Sequence, residues 1–154
     1  MKTIVALSDT HGNVSAMEKI CQIMKENDFV FHLGDFYKDA FLFKRDLGDK
    51  LYCVAGNCDG GGDDLFLQIE ELKVMLTHGD RYGVKDGIDR LYYKAKELGV
   101  NVVFYGHTHC ADITVYDGIT FINSGCMKNC FDQSYCYAVI NKDKIVAKIV
   151  KING

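Results

Sequence analysis

The stretch Phe104-Tyr105-Gly106-His107-Thr108-His109 places two histidines one residue apart behind an apolar run. On an extended backbone both imidazoles face the same side, about 7 Å apart at a rise of ~3.3 Å per residue. The same arrangement of apolar run, small residue and donor recurs at Ser8-Asp9-Thr10-His11, Gly34-Asp35, Gly56-Asn57 and Thr77-His78. Ligands of open α/β sheets bind at the carboxyl ends of strands. Five such ends therefore place Asp9, His11, Asp35, Asn57, His78, His107 and His109 around one crevice. Any one of these residues is equally well explained as a turn or core residue; the joint pattern is not.

Mixed imidazole and carboxylate donors, with no thiolate required, suit manganese, iron, zinc, cobalt or nickel. Seven candidates exceed the needs of one ion and suit two divalent ions ~3.5–4 Å apart, with Asp35 on a central strand as the bridge. Two divalent ions against two carboxylates leave a positive site, which attracts an anion such as a phosphate ester. Such a pair lowers the pKa of water from ~16 towards ~7 and clamps phosphoryl oxygens for in-line attack by the metal-activated hydroxide. Small residues beside each donor leave room for ions and substrate. His32, inside a strand, reads instead as a hydrogen-bonded structural histidine.

The elements that must carry these donors follow from periodicity. Lys2 to Leu7 reads as a buried strand, and Asn13 as the N-cap of an amphipathic helix with Val14, Met17, Ile20, Cys21 and Met24, running to about Glu26. Asp28 to Leu33 is the next strand, so the opening is a parallel βαβ unit. Phe36 to Leu47 reads as a short helical segment whose Phe41, Leu42, Phe43 and Leu47 belong to the core, with an oligomer contact or pocket wall as the alternative. Lys50 to Ala55 is a third strand, followed by the flexible Gly60-Gly61-Gly62. Leu65 to Glu70 and Leu72 to Thr77 form a hairpin. A second helix, with Ile88, Leu91, Tyr92, Ala95 and Leu98, closes at Gly99. Val102 to Tyr105 carries the histidine pair. Asp112 to Tyr116 and Ile119 to Asn123 flank an Asp117-Gly118 turn, a loop runs from Ser124 to about Gln133, and Tyr135 to Asn141 and Lys144 to Lys151 form a last hairpin. Lys144, Lys148 and Lys151 protect an edge rather than form a binding patch.

Size and charge bound the partners. With 154 residues, 48% apolar and 25% charged, residues 1–154 are expected to form one soluble domain. The net charge of −3, without a Lys/Arg block, argues against a stable nucleic-acid partner but leaves a nucleotide substrate open. No apolar run reaches the ~20 residues of a membrane span, and the opening strand shows no signal-peptide pattern, which points to the cytoplasm. Seven cysteines without a CxxC pair read as reduced thiols; a zinc set of Cys126, Cys130 and Cys136 lacks the usual paired spacing.

Asp9-x-His11, Gly34-Asp35, Gly56-Asn57-x-Asp59, Thr77-His78-Gly79 and Gly106-His107-x-His109 together resemble the motif set of the calcineurin-like metallophosphoesterases. Spacing and size resemble the small single-domain bacterial and archaeal phosphodiesterase branch (YfcE-like). The resemblance runs from Met1 to about Gly125. It implies an α/β fold: a four-layer α/β/β/α sandwich of two mixed sheets flanked by helices, with the active site at the strand C-terminal ends. It also implies a first metal on Asp9, His11, Asp35 and His109 and a second on Asp35, Asn57, His78 and His107, manganese being the expected ion. Asp35, Asn57, Cys58, Asp59 and His78 are the residues it places in catalysis.

Three positions depart from relatives. Cys58 stands where many monoesterases carry His, and a thiol of pKa ~8.5 suits leaving-group protonation less well than an imidazole of ~6.5. This favours phosphodiesters. Asp80 stands where relatives often repeat His, and Asn123-Ser124-Gly125 where Asn-Pro-Gly is common. A dinuclear-metal-dependent phosphodiesterase acting on a small phosphate ester is therefore the expectation. The alternatives are a phosphomonoesterase or nucleotide pyrophosphatase with the same site, and a non-catalytic scaffold on this fold. Arg81, Tyr82, Lys128 and the loop Ser124 to Gln133 are candidate substrate contacts, and a homo-oligomer is compatible with the chain.

Overall fold

In the computed structural model, which describes residues 1–129 and 132–152, strand periodicity sorts the chain into layers. The strands are β1 (Lys2–Leu7), β2 (Phe29–His32), β3 (Leu51–Cys53), β4 (Leu65–Ile69), β5 (Leu72–Leu76), β6 (Val102–Tyr105), β7 (Asp112–Tyr116), β8 (Ile119–Asn123), β9 (Ser134–Asn141) and β10 (Lys144–Lys151). They build two five-stranded sheets, ordered β10-β9-β1-β2-β3 and β4-β5-β6-β8-β7. Both are mixed. β1, β2 and β3 run parallel, as do β5, β6 and β8, while β9, β10, β4 and β7 join antiparallel.

Alternate residues face opposite ways along a strand, and here both faces are apolar. Ile4 and Ala6 of β1 pack with Phe31, Val74, Val102 and Phe104 between the sheets. Val5 and Leu7 turn the other way, onto Met17, Ile20 and Met24. Across the molecule, Met75 and Val103 lie under Leu91 and Ala95. The result is the four-layer α/β/β/α sandwich. Beneath the strand ends, Phe31 and Phe104 meet edge to face at 5.3 Å between centroids, a contact worth about 1 kcal/mol beyond its burial.

Helices differ in detail from the periodicity reading. The first is two six-residue pieces, α1 (Val14–Lys19) and α2 (Cys21–Glu26), because Ile20 leaves helical dihedrals. Met24 N–H still reaches the Ile20 carbonyl (2.9 Å), so the buried face is kept. Asn13 caps α1 as expected, accepting from Ala16 N–H. The segment after β2 is a 3-10 turn, Tyr37–Phe43, running into α3 (Lys44–Leu47). Three residues per turn put Ala40 and Phe43 on one inward face and turn their neighbours outward. Phe43 and Leu47 are therefore core, but Phe41 (52% exposed) and Leu42 (69% exposed) are not. α4 (Asp89–Glu97) closes as read: Gly99 N–H bonds the Lys96 carbonyl and Val100 N–H the Ala95 carbonyl.

Cys21, Cys53, Cys58, Cys110 and Cys136 are free thiols; Cys130 lies outside the described residues, as does part of the loop from Ser124 to Gln133. Burial in the inter-sheet core pushes the Cys136 thiol up to about 12. Among the described residues no helix is long and apolar enough to cross a membrane.

Candidate metal centre

The predicted donors lie at the carboxyl ends of parallel strands, as the sequence pattern requires. Asp9 and His11 follow β1, Asp35 follows β2, Asn57 follows β3, His78 follows β5, and His107 and His109 follow β6. Six of the seven gather in two groups. Asp9, His11, Asp35 and His109 form one; Asp35, His78 and His107 form the other; within each, the ligand atoms lie within 4.8 Å of one another. Asp35 is common to both. Asn57 is exposed at the rim, where its amide nitrogen donates to Cys58 Sγ (3.9 Å).

The backbone that presents these donors is not extended. Asp9, His11, Asp35, His107 and His109 all have positive φ, between 44° and 71°. His107 and His109 therefore reach the site from a left-handed turn, which corrects the extended-strand geometry expected for them. His and Asp tolerate this region better than most side chains. The turn also separates the two imidazoles, one into each group.

Close backbone approach explains two of the small residues. A Cβ on Gly106 would run into Ser8 Oγ and come within 2.9 Å of Asp9 Oδ2. A Cβ on Gly56 would overlap Asp35 Oδ1 and stand 2.6 Å from the Asp35 amide nitrogen.

Each carboxylate has one oxygen held and one presented. Asp9 Oδ2 accepts from Ser8 Oγ and from His107 N–H (3.2 Å). Its Oδ1 faces His109 Nε2 at 3.3 Å and His11 Nε2 at 3.9 Å. Asp35 Oδ1 accepts from Cys58 N–H (2.9 Å), and its Oδ2 lies 3.7 Å from His11 Nε2 and 3.4 Å from His78 Nε2. His78 Nδ1 donates to the Leu33 carbonyl (2.7 Å), which leaves Nε2 turned inward, 3.1 Å from His107 Nδ1. A ring fixed through its outer nitrogen in this way is typical of metal-ligating histidine.

Two buried atoms at the site, Asp9 Oδ1 and His11 Nε2, meet only one another and the other donors and make no well-formed hydrogen bond. Leaving such atoms unsatisfied costs about 1–3 kcal/mol each. Both belong to the first group, and both are donors a divalent cation takes up. Burial pushes the Asp9 carboxyl above its ordinary range, and a nearby cation would pull it back. Burial acts upward on Asp35 too, but the Cys58 amide and His78 outweigh it and hold the carboxyl below its usual value. Burial, with His78 adding to it, lowers His107, and burial lowers His109. Neutral imidazoles are the form that binds metal. The residues present therefore fit a pair of divalent ions.

The family model of the calcineurin-like phosphoesterase superfamily domain matches residues 1–144. The chain belongs to that superfamily.

Similar phosphoesterases agree with that placement. A probable metallophosphoesterase, YsnB of Bacillus subtilis, is 34% identical over 130 residues, spanning 81% of this chain and 75% of its own. The phosphodiesterase MJ0936 of Methanocaldococcus jannaschii is 28% identical over 140 residues, 77% of this chain and 80% of that one. Among solved structures, a predicted phosphoesterase from Streptococcus pneumoniae superposes with a TM-score of 0.82 at 24% identity, covering 99% of this chain and 90% of that chain.

Other positions in this phosphoesterase take roles the sequence did not assign. Asp59 spends both oxygens on backbone: Oδ1 accepts from Phe36 N–H (2.8 Å) and Oδ2 from Gly56 N–H (2.9 Å). It ties the β2 and β3 donor loops together. Cys58 is exposed, and partial desolvation, followed by Asp35, pushes its thiol up. Arg81 and Tyr82 are anchored on Asp64, each at 2.6 Å. Lys128 is close enough to His109 to lower its pKa.

Ser8, Thr10, Asp39 and Phe36 were not visible as site residues. Ser8 orients Asp9, and its position directly before that residue was the available signal. Thr10 Oγ1 joins His32 Nε2 (3.0 Å) to Asp39 Oδ2 (2.6 Å), which also accepts from Gly12 N–H (2.8 Å). Nothing in the sequence marks Asp39 for that role.

Proposed function

We propose that this phosphoesterase is a dinuclear-metal-dependent phosphodiesterase that hydrolyses small phosphate esters. Two ligand groups sharing Asp35 carry the reading. Asp9, His11, Asp35 and His109 would hold one ion, and Asp35, Asn57, His78 and His107 the other, with manganese as the first candidate. Bound there, the ions would supply Lewis acidity and a hydroxide at neutral pH.

The chain's own groups set the rest. Asp9 and Asp35 are aimed by the Ser8 hydroxyl and the Cys58 amide, so their free oxygens need no reorganisation. In hydrolysis, water oxygen joins phosphorus, one P–O ester bond breaks, and the departing oxygen takes a proton. The acids nearest Asp35 are poor donors for that proton. Asp59 is committed to two amides, and Cys58 offers a thiol, ordinarily of pKa ~8.5, where an imidazole would offer ~6.5. Diesters and activated leaving groups, which depend less on such a donor, are favoured. Similarity to a protein named as a phosphodiesterase supports the same choice.

The test is a chelator-stripped sample assayed on a generic aryl phosphodiester across manganese, nickel, cobalt, iron and zinc. Activity should return with at least one ion and be abolished by Asp35→Ala and His78→Ala. A folded sample inactive with every ion would defeat the reading. Fewer than one bound ion per chain after saturation would favour the scaffold alternative.

A further inference from the structure

Phe36, directly after the shared ligand Asp35, has left-handed dihedrals (φ 66°, ψ 41°), which are uncommon for an aromatic residue. Neighbours hold it there. Its N–H donates to Asp59 Oδ1 (2.8 Å), and its carbonyl lies 3.2 Å from Thr10 Oγ1, whose hydroxyl is itself held by Asp39. Strain maintained by surrounding structure clusters at functional sites. The fold gains little core from this strain, because Phe36 remains 42% exposed.

The ring lies beside the first ligand group. Its centroid is 5.1 Å from that of His11, a member of the first ligand group. It also lines a cleft of about 310 Å³ with Lys38, Asp39, Cys58 and Asp59. Cys58 belongs to the wall of the metal centre, since its amide holds Asp35. The cleft therefore opens beside the ligand groups.

Charge in the cleft selects the occupant. Two carboxylates, Asp39 and Asp59, and one lysine, Lys38, line it, so a second phosphate is disfavoured there. A neutral planar group suits it better, with the exposed Phe36 ring to take its face. Bases stack on aromatic side chains in this way whatever their sequence.

We propose that Phe36 is the floor of a subsite that stacks the nucleobase of a nucleoside phosphodiester whose phosphate lies at the metal centre. This rests on the phosphodiesterase reading and narrows its substrate class. Phe36 thereby acts as a specificity-determining residue.

The test compares two esters with the same leaving group, the p-nitrophenyl ester of thymidine 5′-phosphate and methyl p-nitrophenyl phosphate. The parent should favour the nucleoside ester in kcat/KM by about tenfold. Phe36→Leu should bring that ratio close to unity, and Phe36→Tyr should keep it. A readout without turnover is calorimetric binding of thymidine 5′-monophosphate against methyl phosphate to the manganese-loaded protein. The same preference, and the same loss in Phe36→Leu, is expected. Both esters cleaved equally well, or a ratio unchanged in Phe36→Leu, would overturn the subsite and leave the phosphodiesterase reading intact. Phe36-dependent nucleotide binding without hydrolysis of either ester would uphold the subsite and defeat the phosphodiesterase reading. No hydrolysis and no nucleotide preference would defeat both.

Discussion

His32 makes stability depend on pH in a calculable way. It is fully buried in the loop-bearing end of β2, with Nδ1 accepting from Gly34 N–H (3.2 Å) and Nε2 on Thr10 Oγ1 (3.0 Å). Thr10 can donate onward to Asp39 if His32 donates to it, so the neutral Nε2–H tautomer satisfies every group. A proton on Nδ1 would confront the Gly34 N–H with a second donor. Burial accordingly pulls the His32 pKa from 6.5 down to about 3. The unfolded chain binds this proton near pH 6.5 and the folded chain does not until about pH 3. Stability from this source is thus complete above pH 6.5 and is lost as pH falls towards 3. At pH 5 the loss is about 2 kcal/mol, from 1.36 kcal/mol per pH unit. The assay is urea unfolding of chelator-treated parent and His32→Asn at pH 8 and pH 5, so that ion release does not enter. At pH 8 the variant should be about 1–3 kcal/mol weaker for its lost hydrogen bonds. At pH 5 that gap should shrink by about 2 kcal/mol. A gap that stays constant between the two pH values would refute the buried neutral histidine.

Gly56→Ala should cost about 1–3 kcal/mol of stability, since its Cβ must displace Asp35, and should lower metal content by elemental analysis along with activity. Manganese added at about 100 times its dissociation constant should stabilise the stripped protein by about 2.7 kcal/mol, read as a rise of several degrees in Tm. An unchanged Tm would argue against binding to the folded state. Cys58→His should raise kcat/KM on alkyl monoesters about tenfold or more, because a thiol of pKa ~8.5 is replaced by an imidazole of ~6.5 better suited to protonating a departing alkoxide at neutral pH.

The strands and their ends were legible because two simple signals coincide there. Both faces of β1, β2, β5 and β6 are buried, so they appear as continuous apolar runs, and each run ends abruptly at a donor. What periodicity does not encode is the backbone after the strand. His107 and His109 read naturally as alternate residues of an extended chain, yet both sit at positive φ. No glycine announces it, because the left-handed residues are the donors themselves. The 3-10 turn misled for a related reason: Phe41 and Leu42 are core-type residues on a three-residue repeat whose inward face is already taken by Ala40 and Phe43. Asp59 was legible as a motif residue but not in its role. Only the structure shows both its oxygens on amides of two separate loops.

The two ligand groups differ in when a growing chain can complete them. Asp9, His11 and Asp35, three of the first group's four donors, are all in hand once residue 35 has been synthesised and β1 has paired with β2. The second group draws His78 and His107 from the other sheet and cannot exist before residue 107 is made and the two sheets have docked. Only when the sheet that carries β5 and β6 has closed on the sheet that carries β2 does Asp35 meet His78 and His107, so the second group is itself a seam between the two sheets.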